Sequence, residues 1–370
     1  MNIARLKSSF ARVAMHGDEV PLHFYSDLFL KHPETRDMFP VSMQAQRSHL
    51  VAALVTIVSN VEDLDALTTF ARDLGREHRK FGALAEHYDA VGASLLATFA
   101  HFCGQAWDSE LEADWKAAYE LIASVMIAAA REDEKHNPAY WTGTVVARER
   151  RAFDVSVLTV RPEPRLDYLP GQSAAIESPA RPRLWRYYSM ANAPRADSTV
   201  EFHVRLIDGG AVSMALTAHT PDGAELRMGP PVGALRLDLA SSREILMVAG
   251  STGLAPLKAM VEQLTSLPRP PAVQLFFGAR AADGLYDLPS LEKLAADHPW
   301  LTVVPVVSAG RSAGQAGTLT DAVLSTANWS GHDAYLAGPT EMVQDTAARL
   351  AAAGMPPTQI HVEDFGWSEP

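Results

Sequence analysis

The chain has 370 residues, which at about 150 residues per domain implies two or three domains. Apolar residues make up 47% and charged residues 21%, a globular composition that excludes wholesale disorder. Subtracting 44 acidic from 32 basic residues gives a net charge of -12, whose field repels nucleic acid and anionic membrane surfaces and makes polyanions poor candidate partners. No apolar run approaches the ~18 residues of a membrane span, and the N-terminus lacks the layout of a secretory signal. The longest such run lies near Leu121 to Ala130, and the protein reads as cytoplasmic. Cys103 is the only cysteine, so an intrachain disulfide and a cysteine-based zinc site are both excluded.

Residues 1–136 hold 3 of the 24 prolines and 5 of the 23 glycines. Their apolar positions recur at helical spacing, as in Tyr119, Ile122 and Met126, and breakers fall at corners such as His32-Pro33 and Phe39-Pro40. The pattern predicts an all-α domain. Eight of the thirteen histidines lie in it, which makes it the place to seek a metal or cofactor ligand. The polar stretch Glu132 to Asn137, closed by Pro138, predicts the interdomain junction.

Over residues 140–240 the period changes to two. Phe153, Val155 and Val157 alternate with polar neighbours, as do Val200, Phe202, Val204 and Leu206, predicting an antiparallel β-barrel or sandwich. Within it Arg186-Tyr187-Tyr188-Ser189 gathers a cationic fork, two aromatic faces and a hydroxyl. Arg186 and Tyr188 share a face on a strand, which suits a cofactor with a phosphate and a flat ring, although an aromatic edge strand with a surface arginine has the same pattern. The loop Gly209-Gly210-Ala211-Val212-Ser213 offers backbone donors for a pyrophosphate.

Over residues 243–370 short continuous apolar runs alternate with helical segments: Ile245 to Ala249, Val273 to Phe277, Leu301 to Val307 and Ala334 to Leu336. This predicts an α/β domain with a parallel sheet covered on both faces. Gly250-Ser251-Thr252-Gly253-Leu254-Ala255-Pro256 follows a buried strand and opens a helix, so its free N–H groups suit a nucleotide pyrophosphate. A tight turn needing only glycine is the competing reading. Gly338-Pro339 ends another strand, and two such turns together favour binding at the carboxyl ends of the sheet.

In this order, Arg186-Tyr187-Tyr188-Ser189, Gly210/Val212/Ser213, Gly250 to Pro256, Gly338-Pro339 and Glu363-Asp364-Phe365-Gly366 resemble the ferredoxin-NADP reductase superfamily. The resemblance implies that Arg186 holds the FAD phosphate, Tyr188 packs on the isoalloxazine and Ser189 bonds near its N5. It further implies that Gly210, Val212 and Ser213 line the pyrophosphate and that Phe365 covers the ring face where nicotinamide arrives. With it, Tyr187 joins the flavin-binding set, while Gly250, Thr252, Gly253, Pro256, Gly338 and Pro339 take NAD(P)H. Ala337 stands where many members carry a cysteine.

Phe24-Tyr25, His32-Pro33-Glu34, Phe39, and Gln46 with Leu50 resemble the first helices of a globin, and His78 follows at the spacing of the haem ligand. The whole chain is therefore similar to the bacterial flavohaemoglobins. That resemblance implies haem b held by His78, with Phe39 against the porphyrin and Leu50 beside it. Tyr25 and Gln46 would offer polar groups to bound dioxygen, and Tyr88 would support the ligating histidine. Electrons would pass from NAD(P)H to FAD to haem, and the substrates would be O2 and NO in a nitric oxide dioxygenase. Two departures stand out: the usual glutamate falls on Ala130, and the usual lysine before the histidine is Glu77. They motivate an alternative, a globin-linked flavin reductase or an oxygen or redox sensor. Arg280 and Arg311 follow predicted strands, where each fits either a 2'-phosphate or a solvated loop, so NADH and NADPH are not distinguished.

Overall fold

The computed structural model describes residues 1–308 and 317–363, and the chain divides into two compact units, Met1–Tyr140 and a second beginning at Trp141. The first unit is helical throughout: α1 (Ile3–Ala14), α2 (Glu19–Lys31), α3 (Gln44–Ser59), α4 (Leu64–His78), α5 (His87–Cys103) and α6 (Ser109–Glu134). Asn2, Asp63 and Asp108 cap α1, α4 and α6 by accepting the N–H groups of Arg5, Ala66 and Leu111, each satisfying a donor that a helix start leaves open. Pro33 opens a short 3-10 turn, Pro33–Met38, where its missing N–H costs nothing. The buried core gathers Leu6, Val13, Phe24, Leu28, Phe99 and Trp115.

Two glycines set how closely the helices approach. A Cβ on Gly75 of α4 would lie 2.3 Å from the Met126 carbonyl of α6, and one on Gly92 of α5 would lie 2.5 Å from the Tyr119 ring. The first contact fixes α4, and with it His78 one turn further on, directly against α6. The junction stretch is partly helix, because α6 continues to Glu134. Beyond it Lys135, His136 and Asn137 fold back by donating to the Glu132 and Asp133 carbonyls. Among the described residues no helix is long and apolar enough to cross a membrane.

The second unit carries two sheets. The strands β1 (Trp141–Arg150), β2 (Val155–Glu163), β3 (Ser173–Glu177), β4 (Trp185–Ser189), β5 (Val200–Arg205) and β6 (Glu225–Met228), with helix α7 (Ala211–Ala218), make the first part. They form a six-stranded antiparallel sheet in the order β4-β3-β6-β1-β2-β5. The sheet is not a closed ladder: its edge strands meet through one isolated bridge, Met190 to Phe202. Phe153, which the alternation assigned to a strand, sits in the β1–β2 turn and is 82% exposed. Its ring packs under the Arg150 guanidinium, 5.2 Å away, rather than in the core.

The second part is a five-stranded parallel sheet in the order β11-β10-β7-β8-β9. Its strands are β7 (Ile245–Gly250), β8 (Val273–Ala279), β9 (Leu301–Val307), β10 (Asp333–Ala337) and β11 (Ile360–Val362), covered by α8 (Leu254–Leu264), α9 (Leu288–Asp297), α10 (Leu319–Thr326) and α11 (Thr340–Ala352). Apolar clusters on both faces explain why these strands read as continuous hydrophobic runs. From β7 the chain winds outward through β8 and β9, then crosses back to β10 beside β7. The direction of winding therefore reverses between β7 and β10, where open α/β sheets bind ligands.

Candidate functional site

In the helical unit, Nδ1 of His78 lies 2.7 Å from the carbonyl oxygen of Leu74, one turn back on α4. A carbonyl only accepts, so Nδ1 carries the proton and Nε2 is left with its lone pair. Burial pushes the His78 pKa below the ordinary imidazole value, which keeps the ring neutral and able to ligate iron. The donor set thus fits a haem with one axial imidazole.

Tyr25, Phe39 and Leu50 pack on one core of this unit, and Tyr25 reaches the Gln46 backbone. Tyr25 on α2 is 6% exposed. Its ring meets Phe39 edge-on at 5.4 Å and stacks on Phe29 at 5.7 Å, and Phe39 and Leu50 pack on the same core. The Tyr25 hydroxyl donates to the Gln46 backbone carbonyl at 3.4 Å, well beyond the usual O–H···O distance of about 2.8 Å. Burial pushes its ionisation far above the normal phenol range, so it remains a donor. Tyr88, near the start of α5, is half-buried, and burial pushes its pKa up to about 12; its carbonyl accepts the Tyr119 hydroxyl at 2.6 Å.

Several ion pairs surround the His78 end of α4. Glu132 is exposed and pairs with Lys135 and His136. The acid that reaches the α4 terminus is Asp133, which pairs with Arg79 next to His78. Glu77 pairs with Lys80, whose side chain is buried. Sequence reasoning overlooked Asp133; the Glu77–Lys80 pair was visible as an i,i+3 spacing.

On β4, Arg186 lies opposite Ile176 and Tyr188 opposite Ala174, so the two share one face of the sheet. Ser189 is buried and its hydroxyl donates to Glu363. Among the described residues, one Glu363 carboxyl oxygen is buried without a partner, and burial raises the group's pKa to about 8. Val212 lies in the core and the Ser213 hydroxyl is used within the turn, bonding Gly210 and Ile207. A Cβ on Gly210 would lie 2.5 Å from that hydroxyl. This turn can therefore offer a phosphate only backbone N–H groups, at the start of α7, which no side chain among the described residues caps. Tyr187 is half-buried and faces away from Arg186 and Tyr188.

The two glycine turns are in contact. A Cβ on Gly253 would meet the Ala337 carbonyl oxygen at 2.3 Å, and one on Gly338 would meet the Gly250 carbonyl oxygen at 2.7 Å. Gly338 also has φ +142, outside the range of side-chain-bearing residues. Thr252 is half-buried, Pro256 lies in the first turn of α8, and Pro339 precedes α11. Ser251 takes a left-handed φ of 55 and its hydroxyl accepts a 2.7 Å bond from Arg205, a contact that sequence reasoning did not find. Gly253→Ala must push the two turns apart, a strain of about 1–3 kcal/mol. We expect it to raise the KM for NADH at least about tenfold, measured by steady-state oxidation of NADH with ferricyanide. Arg311 and Phe365 lie outside the described residues; Arg280 is exposed just beyond β8.

Three families match the chain in succession: Globin over residues 22–126, the oxidoreductase FAD-binding domain over 143–237, and the oxidoreductase NAD-binding domain over 247–348. The protein is thus a globin joined to a flavin and nicotinamide oxidoreductase. The "Naphthalene 1,2-dioxygenase system ferredoxin--NAD(P)(+), reductase component" of Pseudomonas putida is 34% identical over 248 residues, covering 65% of this chain and 74% of that protein. A flavohemoprotein of Rhizobium meliloti is 26% identical over 392 residues, covering 98% of this chain and 96% of the relative. The crystal structure of a flavohemoglobin from Malassezia yamatoensis with bound FAD and heme shares the fold at a TM-score of 0.77 and 17% identity, covering 98% of each chain. The chain has the domain set of a flavohaemoglobin, a globin followed by FAD-binding and NAD-binding oxidoreductase domains. It is an NAD(P)H-dependent oxidoreductase whose cofactors are haem, FAD and NAD(P)H.

Proposed function

We propose that the protein is a nitric oxide dioxygenase that converts NO and O2 to nitrate, with electrons passing from NAD(P)H to FAD to haem. The observation that carries this reading is the His78 imidazole, held as the tautomer with a free Nε2, in the same helical unit as the buried Tyr25 hydroxyl. Haem supplies the redox-active iron that activates dioxygen, and FAD converts a two-electron hydride donor into a one-electron source. The balance is NO + O2 + one electron giving nitrate, so each NAD(P)H serves two molecules of NO. His78 would hold the haem iron through its free Nε2. The buried Tyr25 hydroxyl would serve as a hydrogen-bond donor to the oxygen substrate. Arg186, Tyr188, Ser189 and the backbone of Gly210 hold the flavin, and the Gly250–Gly253 and Gly338 turns hold the nucleotide. Stopped-flow mixing of the reduced, oxygenated protein with NO tests the reading: rapid nitrate, one per haem, supports it, and slow or substoichiometric nitrate overturns it.

Glu363 accepts a hydrogen bond from the Ser189 hydroxyl, and burial favours its own protonated form. Its raised pKa sets the sign of a pH effect. The protonated form is favoured by folding, so its stabilisation is full below the unfolded pKa of about 4.3 and is lost as pH rises through about 8. Glu363→Gln is therefore expected to flatten the decline of melting temperature between pH 5 and pH 8, relative to the unmodified chain; an unchanged profile would contradict the assignment.

A second reading has a specific observation behind it. The His78 Nδ1 proton goes to a neutral carbonyl, while Asp133 is held by Arg79. A carboxylate partner would make the imidazole more basic and a stronger electron donor to iron. With that push reduced, the globin would act as an oxygen or redox sensor coupled to a flavin reductase. In the same stopped-flow experiment this reading gives slow nitrate formation and fast reduction of external acceptors.

A further inference from the structure

Between the two sheets of the second unit lies a set of charges that neither cofactor site uses. Lys258 of α8, with a side chain 8% exposed, lies 2.9 Å from the fully buried Asp287 and 3.4 Å from Glu201 of β5. Asp287 also takes Arg151 at 2.7 Å. Glu201 takes Arg195 at 2.7 Å, and Arg195 reaches Glu262 of α8 at 3.2 Å. Arg151, Arg195 and Glu201 come from the antiparallel part, whereas Lys258, Glu262 and Asp287 come from the parallel part. Three cations face three carboxylates. Beside them His203 of β5 meets the Tyr286 hydroxyl at 2.8 Å, and burial pushes its pKa down to about 3, so it adds no charge.

Buried ion pairs contribute little net stability, because desolvation offsets their attraction, but they tolerate only one geometry. Burial alone would lower the Lys258 pKa, yet Asp287 and Glu201 more than reverse it. The partners are therefore close enough to hold the ammonium in place. The connections run from one cofactor site to the other. The flavin strand β4 leads at its end to the Met190–Phe202 bridge on β5, β5 carries Glu201, and Lys258 sits on the helix opened by the Gly250–Gly253 turn.

We infer that Lys258, through Asp287 and Glu201, is a positioning residue that fixes the nucleotide helix against the flavin sheet and so sets the approach of the nicotinamide to the flavin. The inference rests on NAD(P)H oxidation alone, so it survives if nitric oxide dioxygenation fails.

The test uses the full-length holoprotein and compares Lys258→Met, the double variant Lys258→Met with Asp287→Leu, Lys258→Arg and Glu201→Gln. The double variant removes one charge of each sign and leaves Glu201 with Arg195 and Arg151 with Glu149. Its melting temperature should therefore stay near that of the unmodified chain, whereas Lys258→Met alone should lower it. A displaced nicotinamide slows chemistry steeply, so the limiting rate of flavin reduction by NADH should fall about tenfold or more in the double variant. The nucleotide Kd should move less than about twofold, because no phosphate contact is lost. The primary deuterium isotope effect on flavin reduction should change, and hydrogen exchange should rise in the β5 and α8 peptides. Lys258→Arg should recover most of the rate. A wild-type reduction rate and isotope effect in the folded double variant overturn the inference, as does a change confined to Kd. If the double variant does not fold, Glu201→Gln decides: a slowed rate at unchanged Kd supports positioning, and an unchanged rate overturns it.

Discussion

Protein carrying His78→Ala is expected to purify without a Soret band and to lose nitric oxide consumption, while NADH still reduces ferricyanide at an unaltered rate. The loss should be at least about a hundredfold, because even a partner of a ligating histidine changes metal affinity by about 10–100-fold. Folding should survive. His78 is half-buried, and its bond is to a carbonyl of its own helix, so the change removes one neutral hydrogen bond, about 1 kcal/mol. The flavin and nucleotide turns belong to the other unit, which is why ferricyanide reduction separates a lost haem from a damaged chain. Imidazole added to the variant should restore part of the Soret absorbance by occupying the vacated side-chain position. An undiminished Soret band would transfer the ligand role to another histidine of the helical unit and remove the basis of the dioxygenase reading.

What the sequence discloses depends on whether the causes are local. The scarcity of proline and glycine before residue 137, and the periods of 3.6 and two, come from burial on one face of each element, and they foretell the helical unit and both sheets. Exceptions arise where burial comes from both sides or from neither. β2 is buried at Ser156 and Leu158 as well as Val155 and Val157, and Phe153 looks like a strand residue yet covers only the Arg150 guanidinium. The three-residue β11 at the sheet edge is too short to carry a period. His203 alternates as a solvent-facing residue but is buried under Tyr286.

The sites show the same division. The glycine turns were visible because conformational demands are local, and their mutual contact at Gly253 and Ala337 explains why both are needed. Arg79 with Asp133, Ser189 with Glu363, and Lys258 with Asp287 join residues 29 to 174 positions apart. Such pairs follow from tertiary placement, and no window of sequence contains them. Ala130 and Glu77 stand plainly in the sequence, but their surroundings needed the structure: Glu77 has Lys80 as its partner, and the acid near the α4 terminus is Asp133.

Tyr25→Phe should release oxygen about a hundredfold faster from the reduced, haem-loaded protein and lower the limiting rate of nitrate formation by a similar factor. Removing one donor from a site where negative charge develops typically costs about 10²–10³ in rate. The resting geometry separates this role from a structural one. At 3.4 Å the bond to the Gln46 carbonyl is long, so its loss should lower stability by less than about 1 kcal/mol. The ring contacts with Phe24, Phe29 and Phe39 remain with phenylalanine in place, and the variant should melt within a few degrees of the unmodified chain. A loosely held donor can turn toward a ligand at little expense, whereas one locked in a short bond would have to break it first. Because burial keeps the phenol protonated, the effect should be constant from pH 6 to pH 9. Laser photolysis or stopped-flow displacement of oxygen by carbon monoxide measures it. If oxygen leaves the variant at the rate of the unmodified protein, the hydroxyl has only its backbone partner, and the stabilising donor must be sought at Gln46.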